Sequence, residues 1–251
     1  MFGKASAVEF RLRFLVHVVI YLLGFAAPWD YALHLDQGRS IWLPAALTIA
    51  RTGVLSLVGA SNALLIAGIL FAVAGATLRT WGAAYLSSAV VKDGAMHTAV
   101  DGAAHVTGVV ADGPYRHLRN PLYLGTWLHT FALALLMPAS GAVFAIVLIG
   151  VEQLRLIGGE ESFLERTVGA PYVAYKGRVP SLWPALKARV AGSGAKPMWW
   201  GAVLGEIYMW GVVVAFVVVG WRYNAQLVLQ GVVMAFGLSL VARAFVPKVQ
   251  G

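Results

Sequence analysis

The chain reads as an all-α, polytopic membrane bundle on three observations. Its 251 residues are 59% hydrophobic and only 12% charged, with mean hydropathy +0.75, outside the balance of a water-soluble domain. Several apolar runs approach the roughly 20 residues that a helix needs to cross a hydrocarbon core about 30 Å thick. None alternates with the ~10-residue pattern of a membrane β-barrel. There is no cysteine, which removes disulfides, thiol nucleophiles and Cys-ligated metals from consideration. The net charge of +8 falls between the apolar runs and forms no patch interleaved with aromatics. It therefore indicates cytoplasmic loops against anionic headgroups, and no nucleic-acid partner.

Taken in order, Lys4, Arg11 and Arg13 precede an apolar run over 14–27, expected to be a first helix with its N-terminus inside. Residues 30–40 are polar and suit an external loop. Residues 41–58 are apolar but carry Arg51, whose exposure to lipid would cost about 2.5 to 3.5 kcal/mol; the segment is expected to be interfacial or re-entrant. A clear span covers 62–86, with Arg79 and Trp81 expected in an inner-interface belt. The polar insert 92–110 places His97, Asp101 and His105 at i, i+4 and i+8. On a helix these share a face, yet no fourth ligand is evident, so a solvated surface is the expectation and no metal is assigned. Residues 123–137 and 139–157 meet at Pro138 and form a tight helical hairpin. Residues 185–197 read as a basic Gly/Ser-containing linker, and 199–221 and 226–245 as an appended hairpin, with Glu206 expected to be structurally paired. Six crossings plus one interfacial helix put every basic cluster on one side. The division is an N-terminal unit 1–60, a core 61–184 and a C-terminal unit 185–251, in a multi-pass protein of a prokaryotic inner membrane.

Between the apolar runs, 112–125 is too elaborate for a simple connection. It combines Gly113, Pro114, Tyr115, Arg116, Arg119, Asn120, Pro121, Tyr123, Leu124 and Gly125. After the hairpin comes a second polar block with Glu160 and Glu161, then Tyr172, Tyr175, Arg178 and Pro180. Guanidinium donors, tyrosine rings and a carboxylate pair together suit a ligand that carries a carboxylate, an ammonium and an adenine. Each element also has a plainer reading: Arg and Tyr anchor inner interfaces, and an acidic pair often opens a solvated helix. No Walker loop, G-x-G-x-x-G, H-E-x-x-H or G-x-S-x-G occurs, so a Rossmann cofactor domain is not expected.

The two blocks, in their order, internal spacing and separation, resemble the isoprenylcysteine carboxyl methyltransferase and phospholipid methyltransferase superfamily over about residues 75–184. The resemblance implies an integral-membrane methyltransferase using S-adenosylmethionine, with a cytosolic cofactor pocket and a lateral opening to lipid. Carried over by position, Tyr115, Arg119, Asn120, Pro121, Tyr123, Leu124, Gly125, Glu160 and Glu161 line that pocket. Tyr172, Tyr175 and Arg178 sit near its mouth. Arg178 is expected to orient an anionic acceptor, and Glu161 is the first candidate to deprotonate an ammonium one. Asn120 stands where the family pattern commonly has histidine, which keeps a donor and an acceptor but removes any charge or proton transfer. The acceptor implied is a lipophilic or lipidated molecule, either an isoprenoid carboxylate or phospholipid-like. A related C-terminal motif in sterol reductases makes an NADPH-dependent oxidoreductase the rival reading. A non-catalytic membrane scaffold is a third, and it has no need of both polar blocks.

Overall fold

The computed structural model describes residues 4–27, 40–93 and 109–245. Residues 30–39 of the expected external loop at 30–40, and His97, Asp101 and His105, lie outside the described residues. Among the described residues the regular structure is helical: α1 (Ala7–Ala26), α2 (Trp42–Arg51), α3 (Leu57–Asp93), α4 (Pro121–Ala134), α5 (Ala139–Thr167), α6 (Ala170–Arg178), α7 (Trp199–Gly205), α8 (Ile207–Val214) and α9 (Ala225–Phe245). A 3₁₀ turn, Gly113–Arg116, lies in the central loop.

Local chemistry explains the boundaries. A reciprocal capping box between Ser6 and Glu9 starts α1. The second carboxylate oxygen of Glu9 accepts from Arg155 Nη2 at 2.6 Å, tying this end of α1 to α5. Pro121 opens α4 at a position where its missing N–H costs nothing. Pro138 separates α4 from α5, giving the tight hairpin expected from the sequence. The Ile41–Val58 stretch does not form one helix. It breaks after Arg51, and α2, with 10 residues, is only about 15 Å long, too short to cross. Trp42 and Ala46 bury that helix against α3.

Among the described residues, three helices are long and apolar enough to span a bilayer: α3 over Leu57–Leu86, α5, and α9 over Ala225–Ala242. A fourth span results if α7 and α8, bent by 66° at their junction, are taken together. The expected six also included α1 and α4. Glu9, Arg11 and Arg13 lie within the first, and the second has 14 residues, so neither reaches that length and apolarity alone. Two further differences bear on the site. α5 does not stop at Ile157 but runs through Gly158 and Gly159 to Thr167, and the expected single span over 199–221 is broken at Glu206.

One apolar core joins every spanning element, with Ile20 of α1, Trp42 of α2, Leu65 of α3, Leu133 of α4, Ile149 of α5, Val212 of α8 and Val228 of α9 all buried in it. The flanking helices thus pack on the central ones. α1 lies along α5 with almost no side-chain layer near its C-terminal end, where a Cβ added to Gly141 would collide with the Gly24 carbonyl. Gly141→Ala should therefore lower the melting temperature of the detergent-solubilised protein by several degrees. Gly177→Ala, in an open part of α6, should leave it unchanged or raise it slightly, since Ala is the better helix former. Equal melting of the two variants would contradict the close α1–α5 contact.

Candidate functional site

The central loop is fixed by main-chain bonds that the sequence pattern did not reveal. Arg119 N donates to Pro180 O at 2.8 Å and Asn120 N to Ser181 O at 3.2 Å. Further along, Ala185 N donates to His117 O at 2.9 Å, Arg189 N to Arg116 O at 2.8 Å, and Arg116 Nε to Val190 O at 3.0 Å. Asp112 accepts from Ser193 Oγ and from Gly194 N. Met198 N then reaches Ala84 O of α3. The expected basic linker is thus a strap laid across the loop and hydrogen-bonded to it.

Beneath the strap, the two polar blocks meet through charge. Arg119 Nε donates to Glu161 Oε1 at 2.9 Å, and Asn120 Nδ2 donates to the same oxygen at 3.1 Å. A carboxylate only accepts, so the NH₂ side of Asn120 must face it. Lys176 Nζ lies 3.0 Å from Glu161 Oε2 and also donates to Glu165 at 2.7 Å. Arg119 Nη1 is spent on the carbonyls of Lys176 and Val179. Both oxygens of Glu161 and most of the Arg119 fork are therefore engaged in holding α5, α6 and the loop together.

Glu160 is turned the other way. Consecutive residues on a helix point about 100° apart, so when Glu161 faces the clamp its neighbour faces elsewhere. Glu160 lines a cavity of about 710 Å³, where its Oε2 accepts from Tyr123 OH at 2.6 Å. Tyr115, Arg119, Asn120, Pro121, Tyr172 and Tyr175 line the same end. The Tyr115 hydroxyl is buried without a hydrogen-bond partner, while its carbonyl accepts from Tyr175 OH at 2.8 Å. Burial pushes the hydroxyls of Tyr115, Tyr172 and Tyr175 well above the usual phenol range, so all three stay neutral at physiological pH.

Leu124, Gly125, Glu161 and Arg178 do not line the cavity. Gly125 belongs to the α3–α4 contact, where a Cβ would meet Arg79 Cγ at 2.6 Å and the Gly75 carbonyl at 2.9 Å. Arg178 is exposed at the end of α6. Other residues line the cavity although the sequence reading did not place them there: Arg13, His17 and Tyr21 of α1, Arg79 of α3, Thr126 and His129 of α4, Gln153 of α5, and Glu206 and Tyr208 at the α7–α8 break. Arg79, expected in an inner-interface belt, is paired within the cavity wall. Its Nε and Nη2 form a two-point ion pair with Glu206, each bond 2.8 Å, and Nη1 donates to Thr126 Oγ1 at 2.7 Å. The remaining wall is apolar, with Phe14, Val18, Leu22 and Phe25 on one stripe of α1 and Leu229, Val232, Val233 and Phe236 on one stripe of α9. Among the described residues no group of three or more His, Asp or Glu is arranged to hold a metal.

Residues 63–170, from α3 to the start of α6, match the family model described as phospholipid methyltransferase. Over this stretch, less than half of the chain, the core is similar to that family of methyltransferases. The match takes in Tyr115 to Gly125 and the Glu160–Glu161 pair, and it leaves out α1, the strap and α7–α9. No curated protein and no solved structure matches the chain significantly.

The clamp makes a stability forecast. Removing one member of a well-buried ion pair strands the other, at a cost on the order of 3 kcal/mol or more. Arg119→Ala should therefore depress the melting temperature strongly. Lys176→Ala, which removes a cation about one-third exposed, should have a small effect. Thermal unfolding of the two variants in one detergent checks the ranking, and an equal loss would contradict the assignment of Arg119 as the central cation.

Proposed function

We propose that the protein is an S-adenosylmethionine-dependent methyltransferase whose acceptor is a lipid-like molecule reaching the cavity from the membrane. The observation that supports this reading best is the two-part chemistry of one cavity: a polar end built from both sequence blocks, continuous with an apolar wall contributed by α1 and α9.

The residues at the polar end fit the cofactor. The unpartnered Tyr115 hydroxyl is a buried donor awaiting an acceptor, and leaving it unmet costs about 1 to 3 kcal/mol. The Glu160 carboxylate suits an ammonium group or vicinal hydroxyls. Tyr172 and Tyr175 offer neighbouring aromatic surfaces, their ring centroids 5.9 Å apart, on which a purine can pack. Arg119 retains Nη2 beyond its contacts with Glu161 and the two carbonyls, and that donor can meet a carboxylate. When bound, S-adenosylmethionine supplies a methyl group on a sulfonium sulfur. The chain's own contribution is alignment and dryness. Tyr115, Tyr123 and Glu160 fix one partner, and the apolar stripes of α1 and α9 exclude water, which strengthens each polar contact. Glu160, rather than Glu161, is the carboxylate that faces a reacting group, because both oxygens of Glu161 are already engaged. Likewise Arg13, which lines the cavity, is better placed than Arg178 to meet an anionic headgroup.

Binding tests the reading directly. S-adenosylhomocysteine should raise the melting temperature of the wild type, since a ligand that binds only the folded state stabilises it by mass action. The shift should shrink in Tyr115→Phe and nearly vanish in Glu160→Gln, yet persist in Arg178→Lys. Label from methyl-labelled S-adenosylmethionine should enter the lipid extract of membranes carrying the wild type. No shift in the wild type, or a full shift in a Tyr115→Phe, Glu160→Gln double variant, would reject the pocket.

A further inference from the structure

Six residues beyond Tyr123 on α4, about 9 Å deeper along the helix, stands a polar group that the polar end of the cavity does not use. His129 is 1% exposed, lines the cavity, and makes no hydrogen bond through either ring nitrogen. The Ala72 carbonyl of α3 approaches the ring as an acceptor but does not reach hydrogen-bond geometry with it. Tyr208 packs against it edge-on at 5.8 Å.

Its polar neighbours are satisfied among themselves. Arg79 is paired with Glu206 and Thr126. The Thr126 hydroxyl donates to Leu122 O, and Thr130 bonds to Tyr21 OH at 2.8 Å and to Thr126 O at 2.9 Å. None turns toward His129. A neutral imidazole offers one donor and one acceptor, and burying both unmet is costly. An acceptor in good geometry for its N–H can come from inside the cavity, which the ring lines.

The surroundings specify the charge of that group. Arg79 and Glu206 cancel each other, so an ion placed beside His129 would find no uncompensated counter-charge and would keep its desolvation penalty. A neutral hydrogen-bonding group carries no such penalty. Position narrows it further. Arg119, Glu160 and the tyrosines lie on the strap side. On the far side the α8–α9 turn is fixed to the opposite end of α3 by the Tyr223–Asn62 hydrogen bond of 2.6 Å, and toward it the lining includes the apolar residues Leu22, Phe25, Leu229 and Val232. Along its length the cavity is therefore ionic, then neutral and polar, then apolar.

Building on the acceptor reading above, we infer that His129 is a specificity-determining residue that hydrogen-bonds the uncharged polar linkage between the headgroup and the chains of the acceptor, an ester carbonyl in a diacyl glycerolipid. An acceptor with no such linkage leaves the imidazole unpaired and is bound less tightly.

The experiment reads binding without methyl transfer. Dioleoylphosphatidylethanolamine, a diester, and its dialkyl ether analogue are titrated into the purified full-length protein, and the melting temperature is followed. The wild type should bind the diester about tenfold more tightly, as expected for loss of one buried hydrogen bond. His129→Leu should respond to the diester only as the wild type does to the ether, with its S-adenosylhomocysteine shift intact. His129→Gln, which keeps a donor and an acceptor, should retain the preference. An equal response of the wild type to both lipids, no response to either, or a full preference in His129→Leu would overturn the assignment. If the Leu variant does not fold, the diester-to-ether ratio in the wild type and the Gln variant decides. Failure of the S-adenosylhomocysteine shift in the wild type would count against the cofactor pocket and leave this result standing.

Discussion

The arrangement of the site depends on one buried ion pair, Arg119 with Glu161. Placing two charges out of water is expensive, and their attraction offsets the cost only where geometry is good and the remaining donors and acceptors are met. Here they are met by Asn120, by Lys176 and by the carbonyls of Lys176 and Val179. Those partners come from the central loop and α6, so satisfying the pair forces both onto α5. The helix then leaves Glu160 no direction but the cavity. One member of the acidic pair holds the frame and the other faces the cavity.

A second pair shapes the opposite wall. Glu206 sits where the apolar run 199–221 would otherwise continue as a single helix, and Arg79 draws it inward through two hydrogen bonds. Meeting the Arg79 fork is incompatible with a straight helix directed at lipid, and the chain bends by 66° between α7 and α8. An unpaired buried charge would cost several kcal/mol, so the bend that pairs Glu206 is the less costly solution. It also brings Tyr208 against His129 and Phe236, closing that side of the cavity.

The apolar content and run lengths made the helical membrane class readable from the sequence, and the spacing of the two polar blocks made the similarity to the phospholipid methyltransferase model readable. Pairing was not. Gly158 and Gly159 looked like the end of a helix, yet α5 continues because the N-terminal segment packs there: Ala5 N donates to Arg155 O, and a Cβ on Gly159 would press on the Ala5 carbonyl at 3.0 Å. Residues 185–197 read as a linker because their composition is polar and Gly-containing, whereas their main-chain bonds to the loop depend on tertiary position. Nothing in the Glu160–Glu161 dipeptide says which carboxylate faces inward. His17, Arg79 and His129 did carry a signal, since an ionisable residue inside an apolar run marks a functional or paired position by default. Reading Arg79 as an interface anchor missed it.

Ultraviolet crosslinking of methyl-labelled S-adenosylmethionine to the solubilised protein, followed by peptide mapping, tests most directly whether the two blocks form one cofactor pocket. Label should appear in peptides containing Tyr115 or Tyr123 and in those containing Tyr172 or Tyr175, and excess S-adenosylhomocysteine should suppress both. Label confined to the α8–α9 hairpin, or insensitive to the competitor, would contradict the pocket described above.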